Sequence, residues 1–151
     1  MAAIFTCRLL NRRAPVVFED GVQSRDFVHV SDILEANLLA LGPNRAAGEA
    51  VNVCTGRSLG LRELTNALRD RLGGPEPEYV DRFRKGYIRH CYGDPAKARD
   101  LLGFEAQVRF EDGIDDLAAW AEGQEAVDRV DVARRELEEA GLTVLPSCIV
   151  S

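Results

Sequence analysis

The run Val17-Phe18-Glu19-Asp20-Gly21-Val22-Gln23-Ser24-Arg25-Asp26-Phe27-Val28-His29-Val30-Ser31-Asp32-Ile33 holds the densest structural signal in the chain. Pro15 blocks helix just before it, so Val16-Val17-Phe18 reads as a short strand. Glu19-Asp20-Gly21 is a turn. Asp26-Phe27-Val28-His29-Val30 reads as a second strand, after which Ser31 or Asp32 is expected to cap a helix. That helix carries Ile33, Leu34, Leu38 and Leu41 and stops at Gly42-Pro43. Arg25 stands at the mouth of the second strand, just past the tight turn.

Upstream, Ile4, Phe5 and Leu9 recur at helical spacing. Downstream, Val51-Asn52-Val53-Cys54 reads as a third strand with its apolar residues at odd positions. Thr55-Gly56-Arg57-Ser58 then turns the chain into a helix bearing Leu61, Leu64, Leu68 and Leu72 on one face, closed by Gly73-Gly74. Glu78-Tyr79-Val80 and Ile88-Arg89-His90-Cys91 are weaker strands. Asp94-Pro95 combines a capping carboxylate with a proline suited to the first helical turn, and Gly103 ends that helix. Two more helices are expected, over about 111–122 and about 124–140. Short strands between helices give an α/β or mixed α+β chain; element order alone does not choose between them.

The 151 residues are the size of one compact domain, 1–151, and 46% hydrophobic with 29% charged residues is ordinary globular usage. A formal net charge of −6 argues against a wholly basic nucleic-acid-binding surface but leaves room for a local pocket for a small anion. No apolar run is long enough to span a membrane. Arg8, Arg12 and Arg13 follow the apolar start rather than precede it, the wrong order for a secretory signal. Cys7, Cys54, Cys91 and Cys148 form no CxxC pair, so neither a metal site nor a disulfide framework is expected, and a reduced, cytoplasmic setting is the default. The tail Cys148-Ile149-Val150-Ser151 fits a prenylation pattern, but the segment before it has three glutamates and no basic residue to serve as a second anchor.

The motifs of redox catalysis are absent. Gly56-Arg57-Ser58-Leu59-Gly60 is no dinucleotide loop, and none of Tyr79, Tyr87 and Tyr92 has a lysine four residues on. His29 and His90 lack an acid or nucleophile partner in sequence and read as structural. No catalytic, cofactor-binding or metal-binding residue is assigned. What remains is Arg25 and a cluster of Arg82, Arg84, Lys85 and Arg89 beside Gly86. Guanidinium groups suit a diphosphate because each donates two parallel hydrogen bonds and keeps its charge. Against this stands the ordinary fate of a surface arginine, a solvated or ion-paired side chain.

Residues 17–33 resemble the VFxDGxQxRDFVHVxDI segment of the extended short-chain dehydrogenase/reductase family, the nucleotide-sugar epimerases and dehydratases. The likeness continues through Val51 to Ser58, Arg84 to Asp94 and Ala96 to Phe104, in order. It is greatest to the dTDP-L-rhamnose 4-epimerase and UDP-glucose 4-epimerase members. The resemblance implies the C-terminal, substrate-binding half of such an enzyme. The NAD-binding half, with its glycine-rich loop and Tyr-x-x-x-Lys, lies outside these residues. By position, Arg25 and Arg84 match the arginines that grip the diphosphate of a dTDP- or UDP-sugar. Val17 and Phe18 match residues beside the pyrimidine, and Asp94 matches the acidic residue near the ribose hydroxyls. Where the family usually has Gly-Asp this chain has Gly86-Tyr87, which removes a partner for a neighbouring arginine. Without the other half, strand edges and apolar helix faces should be exposed. Two functions are therefore expected. One is a nucleotide-sugar-binding portion inactive alone. The other is a non-catalytic module that forms a homodimer or pairs with a chain carrying the NAD-binding half.

Overall fold

The structure, a computed structural model, describes residues 1–42, 46–80, 82–84 and 86–144, and only the backbone of Phe83, Arg84 and Val144. Six helices are described: α1 (Ala2–Leu10), α2 (Val30–Leu41), α3 (Leu61–Leu72), α4 (Ala96–Leu102), α5 (Phe110–Glu122) and α6 (Val130–Glu139). Seven short strands accompany them: β1 (Val16–Phe18), β2 (Ser24–Arg25), β3 (Leu59–Gly60), β4 (Glu78–Val80), β5 (Phe83–Arg84), β6 (His90–Cys91) and β7 (Thr143–Val144). The fold is mixed α/β, with parallel and antiparallel pairs both present. Two compact units divide the chain.

The first unit comprises residues 1–23, 60–89 and 115–151. β1 pairs in parallel with β4, Val16 opposite Glu78 and Phe18 opposite Val80. Helix α3 buries Leu61, Leu64 and Leu68 of the expected stripe, with Thr65 beside them and Leu72 only half-buried, and packs on α1, which buries Phe5 and Leu9. Each such leucine or phenylalanine, taken fully out of water, contributes roughly 1.5–3 kcal/mol, which is what holds the two helices together. β5 and β7 form an antiparallel pair with Arg84 opposite Thr143.

The second unit comprises residues 24–59 and 90–114. β2 pairs in parallel with β6, Ser24 opposite His90 and Arg25 opposite Cys91, and β3 borders β2 on its other side. The core gathers Ala36, Ala98 and Phe104, with Leu39, Val51, Val53 and Leu102 packed around them.

Four local expectations are corrected. No strand forms over Asp26–Val30: the strand here is Ser24–Arg25, just before it, and α2 begins at Val30 with His29 as its cap. The His29 imidazole accepts from Ser31 N at 3.3 Å, so neither Ser31 nor Asp32 caps. Val51–Cys54 joins no sheet among the described residues. Its alternation is met by side-chain packing, Val51 and Val53 on the Phe104 core and Cys54 buried. The last helix starts at Val130 rather than near 124, because the Asp128 carboxylate accepts from Val130 N at 3.0 Å and starts it there. Finally, α2 buries Asp32 and Ala36, packs Leu39 against the core, and turns Leu34, Leu38 and Leu41 outward. The Asp32 carboxylate accepts from Gln107 N at 3.2 Å and Val108 N at 3.1 Å, a tie that apolar periodicity does not reveal.

Candidate functional site

In the first unit, α1, β1 and α6 enclose a cavity of about 470 Å³ whose walls are chiefly apolar, with Ile4, Phe5, Val16, Phe18, Val130 and Leu137 among them. Phe18 is half-buried on this wall. Its neighbour Val17 is buried among core side chains, so any part it takes in binding is through its backbone. Gln23 also reaches the cavity and is 1% exposed. Its amide nitrogen donates to Phe18 O at 2.7 Å, while its Oε1 has no hydrogen-bond partner. A buried acceptor left unpaired costs about 1–3 kcal/mol, so Gln23 stands out from its surroundings.

Helix α6 is tied down by an ionic group on α1 and the segment after it. Arg8, itself buried, donates to Asp131 at 2.9 Å and to Asp128 at 3.4 Å. Arg13 donates to Asp128 at 3.1 Å and Asp131 at 2.9 Å. Burial pushes the Asp128 carboxyl up, but the Val130 N–H and the two guanidinium groups outweigh it and hold it below the usual carboxylate range. Asn11 adds a bond to Ala126 O at 2.8 Å. At the far end of α6, Arg82 donates to Glu138 at 2.6 Å.

Arg82 is spent on Glu138. Arg89 is bonded to Glu19 and, at 2.5 Å, to Asp20, whose hydrogen bond is the largest cause of its raised pKa. Burial would raise the Asp20 carboxyl, yet the Val22 N–H and Arg89 together lower it. Arg84 lies in β5, paired with Thr143, and its side chain lies outside the described residues, as do Lys85 and the tail with Cys148.

In the second unit, Arg25 ends β2 half-buried, and its guanidinium donates to Ser24 O at 2.6 Å. The next residue, Asp26, is one that sequence reasoning did not single out. Its Oδ1 accepts from Thr55 N at 3.0 Å and Thr55 Oγ1 at 2.7 Å, and its Oδ2 from Gly56 N at 2.9 Å. The motif aspartate thus locks the 55–57 turn behind Arg25. Gly56 has φ +78°, and a Cβ there would lie 3.1 Å from Pro95, so the turn admits little but glycine. Gly93 is equally constrained, since a Cβ would meet Cys54 Sγ at 2.6 Å. Asp94, exposed beside it, accepts from Ala96 N at 2.9 Å and so starts α4 with one of its two oxygens. His90 Nδ1 bonds Ser24 Oγ at 2.9 Å and His29 caps α2, the structural roles expected of both.

Among the described residues, no group of three or more His, Cys, Asp or Glu side chains is placed to hold a metal ion. Nor does the 55–60 turn fit a dinucleotide loop: the amides of Thr55 and Gly56 are already spent on Asp26. Burial and then the Asp26 charge push the Cys54 thiol above its ordinary pKa, which disfavours the thiolate.

Comparison with known proteins agrees with the motifs. The NAD dependent epimerase/dehydratase family matches residues 1–54. A UDP-glucose 4-epimerase of Mycolicibacterium smegmatis is 38% identical over 114 residues, 76% of this chain and 36% of the relative. The chain belongs to the NAD dependent epimerase/dehydratase family. Another relative, a dTDP-L-rhamnose 4-epimerase of Burkholderia thailandensis, is 27% identical over 120 residues, 80% of this chain and 33% of the relative. A solved UDP-glucose 4-epimerase with UDP-glucose, from Thermotoga maritima, superposes with a TM-score of 0.68 and 34% identity over 90% of this chain and 40% of its own. The chain therefore spans just over a third of the length of these epimerases. The family match takes in α1, β1, β2 and α2, including Phe18, Gln23 and Arg25.

Proposed function

We propose that this chain is the nucleotide-sugar-binding portion of an NAD-dependent epimerase or dehydratase and that it holds the nucleotide end of a UDP- or dTDP-hexose. The observation that carries this reading is the apolar cavity of the first unit, walled by Phe18, in a chain of this family. Phe18 and the backbone of Val17 are assigned to the pyrimidine ring, and Arg25 and Arg84 to the diphosphate. Asp94 is assigned to the ribose hydroxyls, through the oxygen not given to Ala96 N. A guanidinium group on a pyrophosphate supplies charge-assisted, bidentate bonds, the strongest this chain can offer such a ligand. Epimerisation or dehydration further requires a hydride acceptor and a base fixed on the same sugar, and the glycine loop and Tyr-x-x-x-Lys are not among these residues. The chain alone is therefore expected to bind and not to turn over.

Calorimetric titration of UDP and dTDP is the test. The wild-type chain should bind both, and Arg25→Ala should weaken binding by about tenfold or more, the loss of one charge-assisted contact. Equal heats from the two proteins would remove Arg25 from the site.

A second reading, a module that dimerises or pairs with a chain carrying the NAD-binding portion, is favoured by one observation. Val30, Leu34, Leu38 and Leu41 on α2 are 75%, 59%, 55% and 84% exposed, an apolar stripe of a kind that solvent-facing helices do not keep.

A further inference from the structure

We propose that the first-unit cavity, on its α1–α6 side, binds an amphiphile with an alkyl chain and a single anionic headgroup, of which a fatty acid is the simplest. This goes beyond the nucleotide-sugar reading and does not rest on it. The cavity's volume of about 470 Å³ falls in the range, about 300–1,000 Å³, that takes a whole small ligand. Helices α1 and α6, with the segment leading into α6, give it walls of Ile4, Phe5, Val127, Val130, Ala133 and Leu137, whose side chains offer hydrocarbon only. A polar body laid on them loses its bonds to water without replacement. Each methylene group buried there instead tightens binding about fourfold. Helix α6 has no buried residue, so its apolar side chains border the cavity instead of packing into a core.

The charges select the headgroup. Asp128 and Asp131 are answered by Arg8 and Arg13, two charges against two. Among the described residues lining the cavity, Glu19 alone is acidic, and it is bonded to Arg89. The basic ones are Arg129 and Arg134. Arg134 shares Glu138 with Arg82, at 3.3 Å and 2.6 Å. Arg129 is exposed, and its guanidinium has no ion-pair or hydrogen-bond partner among the described residues. An exposed guanidinium beside an apolar cavity can meet a carboxylate in water while the chain behind that carboxylate lies on hydrocarbon. A cationic head would face Arg129 and Arg134 instead.

The test titrates octanoate, decanoate, laurate and the cationic dodecyltrimethylammonium into the 151-residue chain, each below its micelle concentration. The wild type should bind laurate about sixteenfold more tightly than decanoate, two methylene groups at about fourfold each. Arg129→Glu should weaken laurate about fivefold, the worth of one exposed ion pair, and narrow its margin over dodecyltrimethylammonium. Ala133→Trp, which narrows the cavity beside α6, should weaken laurate by about tenfold or more, while Leu38→Glu on α2 should leave it unchanged. A stearate carrying a nitroxide on its chain should broaden the Val130 and Ala133 methyl signals of the wild type, which locates the chain without any variant. Methyl signals that stay sharp while laurate binds, or laurate affinity undiminished by a folded Ala133→Trp, overturn the site. Equal affinity for laurate and dodecyltrimethylammonium overturns the anionic headgroup, and a flat chain-length series overturns the alkyl chain. UDP titrated in parallel separates this proposal from the nucleotide reading. Binding of UDP but not laurate overturns this proposal alone; binding of laurate but not UDP upholds it and removes only the nucleotide reading.

Discussion

Asp26 carries more of the local architecture than any other charged residue of its motif. Its two oxygens accept three hydrogen bonds from a turn 29 and 30 residues away, and they hold that turn against Pro95. Asp26→Ala is expected to destabilise the chain by about 2–3 kcal/mol, because a charged acceptor is lost and two backbone donors are orphaned. Asp26→Asn should recover only part, since one end of its amide presents N–H groups to a backbone N–H. Urea unfolding of the three proteins measures both. Arg25 and Asp26 are equally visible in the sequence as a charged pair, but only the fold says that the aspartate faces the turn. The same holds for Gln23, a polar residue in a turn-rich stretch that gives no hint of 1% exposure.

Helices α3 and α4 were legible from sequence because their signals are local: a leucine stripe with glycine at the stop, and Asp94-Pro95 at the start. The start of α6 was not, because the Asp128 carboxylate that accepts from Val130 N is itself held by Arg8 and Arg13, more than a hundred positions away. Those contacts have a pH consequence. Asp128 titrates below its ordinary 3.8 in the folded chain, so its contribution to stability is fully present above that value. It is lost as pH falls through the lower folded pKa. Amide hydrogen exchange, corrected for intrinsic rate, should show residues 126–139 losing protection below about pH 3.8 ahead of the α1–α3 pair. Asp128→Asn should produce the same loss at pH 7. Protection of α6 that is indifferent to both would mean that the ion pairs contribute nothing measurable, as many surface pairs do.

At the scale of the molecule, the outward-facing stripe of α2 dominates the prediction. Four large apolar residues on one helix face are expected to drive concentration-dependent association, and Leu38→Glu with Leu34→Glu should suppress it. Light scattering across a concentration series measures the change. A wild type monomeric at all concentrations would count against the pairing module. The sequence alone determined what depends on neighbours a few residues apart: the mixed α/β class, most helices, strands β1 and β4, and a family motif specific enough to point to a nucleotide sugar. Tertiary structure alone decided which face of α2 is buried, that 51–54 packs without pairing, where α6 begins, and which of the basic residues are already paired. The reason is physical. Periodicity records that a helix has an apolar face, but burial, ion pairing and orphaned hydrogen-bond groups are properties of residues brought together from distant parts of the chain.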